Sequence, residues 1–270
     1  MRRSVAPLTI VALLAMVPAA ATAQDASPEV SPGADAGAAE QTFEFRMEQL
    51  EITGQVEFFD DFESGTMNPM LQDVGDSVTS IVDGALVFTD ADGHRVEAPQ
   101  QSSASADVTI PTQHSDRVDI DATFVRGAGD FELDATLVPP IPTDHNESFL
   151  IRFSPADDPE SEWLIGLAWG DIGFPEPCGV EALWTWILAD GLACDPIDPA
   201  ALGEDFRLRL VHDDAAGTLE YLYSIDSGAT YTSMTEFLVP GAPAGDFPPE
   251  AGAVASFEGQ TFVFGESTDG

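Results

Sequence analysis

The sequence predicts an all-β protein, an antiparallel sandwich built from two sheets around one core. Three observations support this prediction. Short runs alternate apolar and polar residues, as strands with one buried face do. Pairs of turn residues separate these runs, and no stretch keeps helical spacing with a cap at each end. Many short strands divided by turns favour two packed sheets over a helical or mixed fold.

The N-terminus predicts a secretory signal peptide over residues 1–23. Two arginines precede the apolar run Val5–Val17, and Ala21-Thr22-Ala23 then supplies small residues of the kind cleaved by signal peptidase. The run is short for a membrane-spanning helix. We therefore expect a secreted or extracytoplasmic protein, with no membrane insertion after the signal is removed.

Residues 24–41 predict a flexible acidic linker rich in alanine, proline and glycine. Val30 is its only larger apolar side chain, so the segment has little with which to cover a core. From residue 42 onward the alternating pattern begins and continues toward the C-terminus. We expect residues 42–270 to form a single β-sandwich domain, a length that such sandwiches often reach.

The alternating runs give the positions of the predicted strands, and the residues between them give the turns. Asp83-Gly84 and Ser227-Gly228 are pairs typical of tight hairpins, because both positions of such a turn favour residues that accept positive φ. The clearest alternating runs are residues 43–47, 117–124, 131–135, 149–153 and 206–210.

Cys178 and Cys194 are the only cysteines. In an exported chain an even pair predicts a disulfide bond, here closing a loop that contains Trp184 and Trp186. A metal or redox pair would need closer spacing or nearby histidines. By loop-closure arithmetic, the bond would contribute roughly 3 kcal/mol to stability.

The charge excludes two classes of partner. The chain has 48 Asp and Glu against 9 Lys and Arg, all nine of them arginine, for a formal charge of −39. Such a surface cannot neutralise phosphates, which excludes nucleic-acid binding. It also excludes docking on an anionic membrane through a basic patch.

Five segments resemble concanavalin A-like lectin/glucanase (laminin-G-like) domains. Residues 59–69 (FDDFESGTMNP) resemble the opening strand and turn of that family, and residues 83–88 (DGALVF) the next strand. Residues 129–133 (GDFEL) are similar to a strand entering the sandwich. Residues 206–210 (FRLRL) and 221–231 (YLYSIDSGATY) are similar to the late hairpin. The resemblance implies a jelly-roll sandwich that is often extracellular and often binds carbohydrate.

Two departures from the family pattern concern the tryptophan after the first turn and a structural calcium ion. Met70-Leu71 stands where the family usually has tryptophan, and residues 262–265 lack the aspartate that often helps to hold calcium. We predict no cofactor and no metal site, and leave structural calcium open. Residues 224–231 also resemble the Asp-box of sialidase propellers, a hairpin in which the aspartate bonds back to turn amides.

No catalytic motif is found in the sequence. A jelly-roll glycosidase needs two carboxylates on one strand face. The closest same-face pairs, Asp119/Asp121 and Glu132/Asp134, alternate with apolar residues and are interpreted as the solvated face of half-buried strands. The four histidines are scattered without ligand spacing. No catalytic residues are predicted.

Tryptophans are the candidate ligand-binding residues. Sugars present apolar C–H faces that stack on aromatic rings, while acids and amides take their hydroxyls. Trp184 and Trp186 are two apart, so on a strand they point the same way. Packing of these side chains in the core is the alternative interpretation. The candidates are Trp163, Trp169, Trp184 and Trp186.

The first functional hypothesis is a secreted, non-catalytic sandwich that binds carbohydrate or another extracellular surface. The second is a divergent glycoside hydrolase or polysaccharide lyase on the same scaffold. The third is a structural or adhesion module whose acidic surface binds divalent cations or a protein. Fold-level analogy favours the first hypothesis.

Overall fold

The computed structural model describes residues 44–74, 78–89, 112–138, 146–155, 163–170, 183–189, 192–238, 245–246 and 252–263. All of these belong to one compact unit, residues 39–270. The predicted signal peptide and linker lie outside the described residues, so those boundaries stay predictions.

The described residues are mainly strands, with one short 3₁₀ helix (Pro199–Ala201) and one short α-helix, α1 (Thr235–Leu238). The strands are β1 (Glu44–Gly54), β2 (Phe58–Asp60), β3 (Leu71–Asp73), β4 (Val78–Val82), β5 (Ala85–Thr89), β6 (Thr112–Phe124), β7 (Phe131–Leu137), β8 (Asn146–Pro155), β9 (Trp163–Trp169), β10 (Leu183–Leu188), β11 (Leu192–Ile197), β12 (Phe206–Asp213), β13 (Thr218–Ser224), β14 (Thr232–Ser233), β15 (Gly245–Asp246) and β16 (Ala253–Val263).

The described strands form two sheets, and within each sheet every pair of neighbouring strands is antiparallel. The first sheet has the order β14-β13-β12-β7-β1-β5-β4, with β15 paired to β13 and β2 paired to β1. The second sheet has the order β11-β10-β9-β8-β16-β6-β3. The antiparallel two-sheet sandwich predicted from the sequence is confirmed.

Aromatic side chains from both sheets fill the core between them. Phe149 of the second sheet contacts Phe45 and Phe88 of the first, with ring centroids 5.9 and 5.4 Å apart. Phe131 and Phe153 meet across the same interface at 5.8 Å. All five rings are buried, so the apolar face of each sheet is covered by the other.

Strand β12 illustrates how the alternating pattern produces the sandwich. Its burial alternates residue by residue, with Phe206, Leu208 and Leu210 fully buried and Arg207 and Arg209 partly exposed. A period of two places the apolar residues toward the core and the arginines on the outer face. The outer face of the first sheet therefore carries polar side chains in a fixed register.

The predicted Asp83-Gly84 hairpin joins β4 to β5. Both residues have positive φ, 49° and 71°, as a tight two-residue hairpin turn requires. Asp92-Gly93 and Pro139-Pro140, two further pairs of turn-forming residues in the sequence, lie outside the described residues.

Among the described residues, no helix has the length and apolar character needed to cross a membrane.

Candidate functional site

A polar row crosses the outer face of the first sheet. Asp134 on β7 lies opposite Arg209 on β12, and Arg209 lies opposite Leu222 on β13. Because facing residues of an antiparallel pair share one side of the sheet, these three side chains point away from the core together. The row therefore places the Asp134–Arg209 ion pair beside the apolar side chain of Leu222.

Arg209 is held by two carboxylates and one aromatic ring. Its Nε donates to Asp134 Oδ2 at 2.8 Å, and its terminal nitrogen lies 3.2 Å from Glu132 Oε1. Its guanidinium carbon lies 4.2 Å from the centre of the Tyr231 ring. Burial lowers the pKa of Arg209, but the hydrogen bond and charge of Asp134, together with the interactions with Tyr231 and Glu132, outweigh burial and raise it. The guanidinium is therefore a fixed, fully charged part of the surface.

Tyr231 completes this cluster. Its hydroxyl donates to Asp134 Oδ2 at 2.8 Å. Burial, and then the hydrogen bond and charge of Asp134, raise the pKa of Tyr231 to about 12. The phenol therefore keeps its proton near neutral pH, and its ring is fixed in position at the surface.

Asp134 differs from the sequence interpretation in one respect. It lies on the outer face as predicted, but its exposed fraction is only 7%. The side chains of Arg209 and Tyr231 contact it, and these two residues lie far from it in the sequence. Alternation within one strand indicates the face of a sheet and not what neighbouring strands place over it.

The Asp-box motif fixes the hairpin that leads into Tyr231. Asp226 accepts hydrogen bonds from Ser224 Oγ at 2.7 Å, from Thr230 N at 2.8 Å and from Thr230 Oγ1 at 2.7 Å. The side-chain bond from Thr230 and then its backbone bond lower the pKa of Asp226 to about 2. Ser227 and Gly228 have positive φ at the tip. The motif is a structural hairpin, as the sequence indicated.

After the hairpin the chain turns back along β14 into α1, and this return builds one wall of a pocket. Met234 is fully buried, and its N–H donates to Tyr221 O at 2.7 Å. Thr235 is also buried, whereas Glu236 and Phe237 face solvent, Phe237 with 46% of its surface exposed. Met234 and Thr235 thus anchor the start of α1, and the two residues that follow them point outward.

The pocket lies between β13, β14 and α1 and has a volume of about 590 Å³. Small-molecule sites in proteins commonly fall between roughly 300 and 1,000 Å³. It is lined by two aromatic residues, two glutamates, two residues that carry a hydroxyl on the side chain and one leucine. The lining residues are Glu220, Leu222, Tyr231, Thr232, Ser233, Glu236 and Phe237.

This combination matches the two-sided chemistry of a sugar. The rings of Tyr231 and Phe237 offer apolar faces for C–H groups, and the carboxylates of Glu220 and Glu236 accept hydrogen bonds from hydroxyls. Tyr231 is both a pocket wall and a member of the Asp134–Arg209 cluster. The rigid cluster and the pocket are therefore joined through one side chain.

The structure brings two of the four candidate tryptophans together. Trp184 and Trp186 point to the same side of β10, with ring centroids 6.4 Å apart. They lie in a separate hydrophobic cluster with Leu150, Leu164 and Ala168, on the face of the second sheet opposite the main core. Trp184 is 1% exposed and Trp186 4% exposed.

Both indoles of this pair donate hydrogen bonds, from Trp184 to Gly170 O at 3.0 Å and from Trp186 to Ser148 Oγ at 3.3 Å. Trp163 and Trp169 are instead partly exposed at the ends of β9 and pack against the main core. A ligand role for the four tryptophans stays a prediction.

A buried polar cluster lies on the same outer face of the second sheet. Arg152 on β8 pairs with Glu258 on β16 at 2.9 Å, and Gln260 Nε2 donates to Glu258 Oε1 at 2.8 Å. Glu258 and Gln260 are 4% and 3% exposed. Their polar groups bond to each other and are shielded from solvent.

Cys194 lies half-buried on β11 beside the tryptophan cluster. Cys178 lies outside the described residues, so the disulfide stays a prediction. Within the described ranges, no group of three or more His, Cys, Asp or Glu side chains is arranged to hold a metal ion.

Sequence reasoning missed the pocket residues Glu220, Glu236 and Phe237. The sequence offered one signal for these residues, which was their position. Glu220 lies shortly before the Asp-box resemblance of residues 224–231, and Glu236 and Phe237 lie shortly after it. Phe237 lies in a four-residue helix, which is too short to show periodicity.

No family model and no curated protein matches the sequence. Solved structures do match it, several lectins among them. Peanut lectin with a 9mer peptide is 12% identical over 83% of this chain and 90% of its own, with a TM-score of 0.43. Lectin II from Ulex europaeus is 13% identical over 72% and 89%, with a TM-score of 0.41. The metal-free form of lectin I-B4 from Griffonia simplicifolia is 12% identical over 74% and 95%, with a TM-score of 0.38. The fold implied by the resemblance, an antiparallel two-sheet sandwich, is the fold of this chain.

Proposed function

We propose that this protein is a secreted, non-catalytic β-sandwich module that binds carbohydrate in the pocket beside Tyr231. The observation that carries the proposal is the lining of that pocket. Two aromatic residues, one of them 46% exposed, line the same cavity as two glutamates and a threonine. Stacking surfaces and hydrogen-bond acceptors converging on one cavity suit a saccharide.

A binding role fits the protonation chemistry of the adjacent cluster better than catalysis does. Asp134 accepts hydrogen bonds from both Arg209 and Tyr231, and the pKa of Tyr231 is raised to about 12. A general acid or base works best with a pKa close to the working pH. The cluster instead holds the Tyr231 ring still, which lowers the entropy lost when a ligand stacks on it.

Secretion, the domain limits and the disulfide form the rest of the proposal. Signal removal after residue 23 would release a domain covering residues 42–270 behind an acidic linker, with Cys178 bonded to Cys194. The strongly acidic surface keeps such a domain soluble outside the cell.

Glycan-array binding by the purified protein tests the proposal. The array is run with calcium and again with a chelator, because structural calcium is open. Selective binding that is weakened by Phe237→Ala, and unaffected by Phe59→Ala, supports the pocket. Phe59 is the matched control because it is 56% exposed and lies outside the pocket. A blank array in both conditions overturns the carbohydrate proposal.

A further inference from the structure

The charged groups around the pocket indicate which class of saccharide it prefers. This preference rests on the function proposed above. We infer that the pocket prefers saccharides carrying free amines over the same saccharides when N-acetylated, and rejects saccharides carrying carboxylates.

The ionised groups in the pocket wall are both acids. Glu220 lies on β13 and Glu236 on α1, so they approach the cavity from different elements. The remaining lining side chains are neutral, since Tyr231 keeps its proton near neutral pH. An ammonium group between two carboxylates would form charge-assisted hydrogen bonds, which are about twice as strong as neutral ones.

Two arginines act on Tyr231 electrostatically, Arg207 and Arg209, and both are ion-paired. Arg209 is shared between Asp134 and Glu132, and the terminal nitrogen of Arg207 lies 3.7 Å from Asp205 Oδ2. The carboxylates that pair with these two arginines outnumber them. An anionic sugar would therefore meet no uncompensated cation in this cluster.

The net negative charge of the whole chain also favours cationic ligands over anionic ones. A formal charge of −39 raises the local concentration of cations and repels anions, and salt screens this effect over about 8 Å at physiological ionic strength. This field alone would attract any cationic oligomer to any part of the surface. The experiment must therefore separate the pocket from the overall charge.

Isothermal titration calorimetry with three oligosaccharides of equal length provides that separation. The probes are a glucosamine oligomer, its N-acetylated counterpart and a uronate oligomer, each tested at low and high salt near pH 6 so that the amines are charged. The Glu220→Gln/Glu236→Gln variant removes the pocket charges. The Glu48→Gln/Glu204→Gln variant removes two charges at exposed glutamates outside the pocket and serves as the matched control.

We expect the amine oligomer to bind the unmodified protein about tenfold more tightly than its N-acetylated counterpart. That preference should be lost in the pocket variant and kept in the control variant. Uronate binding should be undetectable.

Equal affinity for the amine and N-acetylated oligomers, with both weakened by Phe237→Ala, overturns this inference and leaves the proposed function standing. A preference that falls equally in both double variants also overturns it, because the preference would then come from overall charge. If no saccharide binds under any condition, both the inference and the proposed function fail.

Discussion

Tyr231 donates a hydrogen bond to Asp134, 97 residues earlier in the chain, over 2.8 Å. This contact ties the Asp-box hairpin to the middle of the first sheet. One side of the Tyr231 ring is thereby fixed by Asp134 and Arg209, while the residue also lines the pocket. The structure thus presents an aromatic wall that is held in place before any ligand arrives.

Replacing Tyr231 by phenylalanine should destabilise the protein and weaken carbohydrate binding only slightly, because the stacking ring stays but is no longer bonded to Asp134. The variant removes one hydrogen bond to a carboxylate that is only 7% exposed, which should cost about 1–2 kcal/mol of unfolding free energy. The ring that lines the pocket is kept. Urea denaturation measures the first effect and calorimetry the second. Unchanged stability would mean that the hydrogen bond does not hold the ring.

Replacing Phe237 by alanine should produce the opposite pattern. Its side chain is 46% exposed, so the unfolding free energy should change by no more than about 0.5 kcal/mol. Loss of one stacking surface should weaken saccharide binding roughly 2- to 10-fold. Phe59→Ala, measured alongside, should change neither quantity much. A Phe237 variant that binds as tightly as the unmodified protein would place the site elsewhere.

Asp226 should stabilise the hairpin above about pH 4 and lose that effect in acid. Its pKa is lowered to about 2 by hydrogen bonds from Thr230 and Ser224, against an ordinary value of 3.8. The unfolded chain therefore takes up this proton first as the pH falls, and the advantage of the folded state declines between about pH 4 and pH 2. Denaturation of the protein and of Asp226→Asn should show a stability gap at pH 6 that narrows toward pH 2. A gap that does not vary with pH would contradict the assignment.

Asp116 should act in the other direction, because burial and then the charge of Asp73 raise its pKa to about 7. In the unfolded chain it ionises near pH 4, whereas the folded protein holds the proton until about pH 7. The unfolded state is therefore increasingly favoured by this group as the pH rises from 4 to 7. Relative to the unmodified protein, Asp116→Asn should gain stability over that range. Parallel stability curves for the two proteins between pH 4 and pH 8 would refute this.

The sequence was sufficient to predict the fold because alternation and turn chemistry act locally. The pattern in residues 206–210 indicated which side chains of β12 face the core, and Asp83-Gly84 indicated a hairpin. The site was harder to predict, because Asp134 and Tyr231 meet only through the pairing of β7, β12 and β13. Trp184 and Trp186 were correctly expected to face the same way, but alternation gives no information about how much of that face is buried.

The most direct test is an NMR titration of the isotope-labelled protein with the glycan that binds most tightly on the array. The signals to follow are those of the backbone amides and the tryptophan indoles. If the site lies beside Tyr231, the backbone signals of Tyr231, Glu236 and Phe237 should shift with glycan concentration, while the indole signals of Trp184 and Trp186 stay unmoved. Shifts confined to those indoles, with the pocket amides unchanged, would contradict it and return the binding site to the tryptophan face of the second sheet.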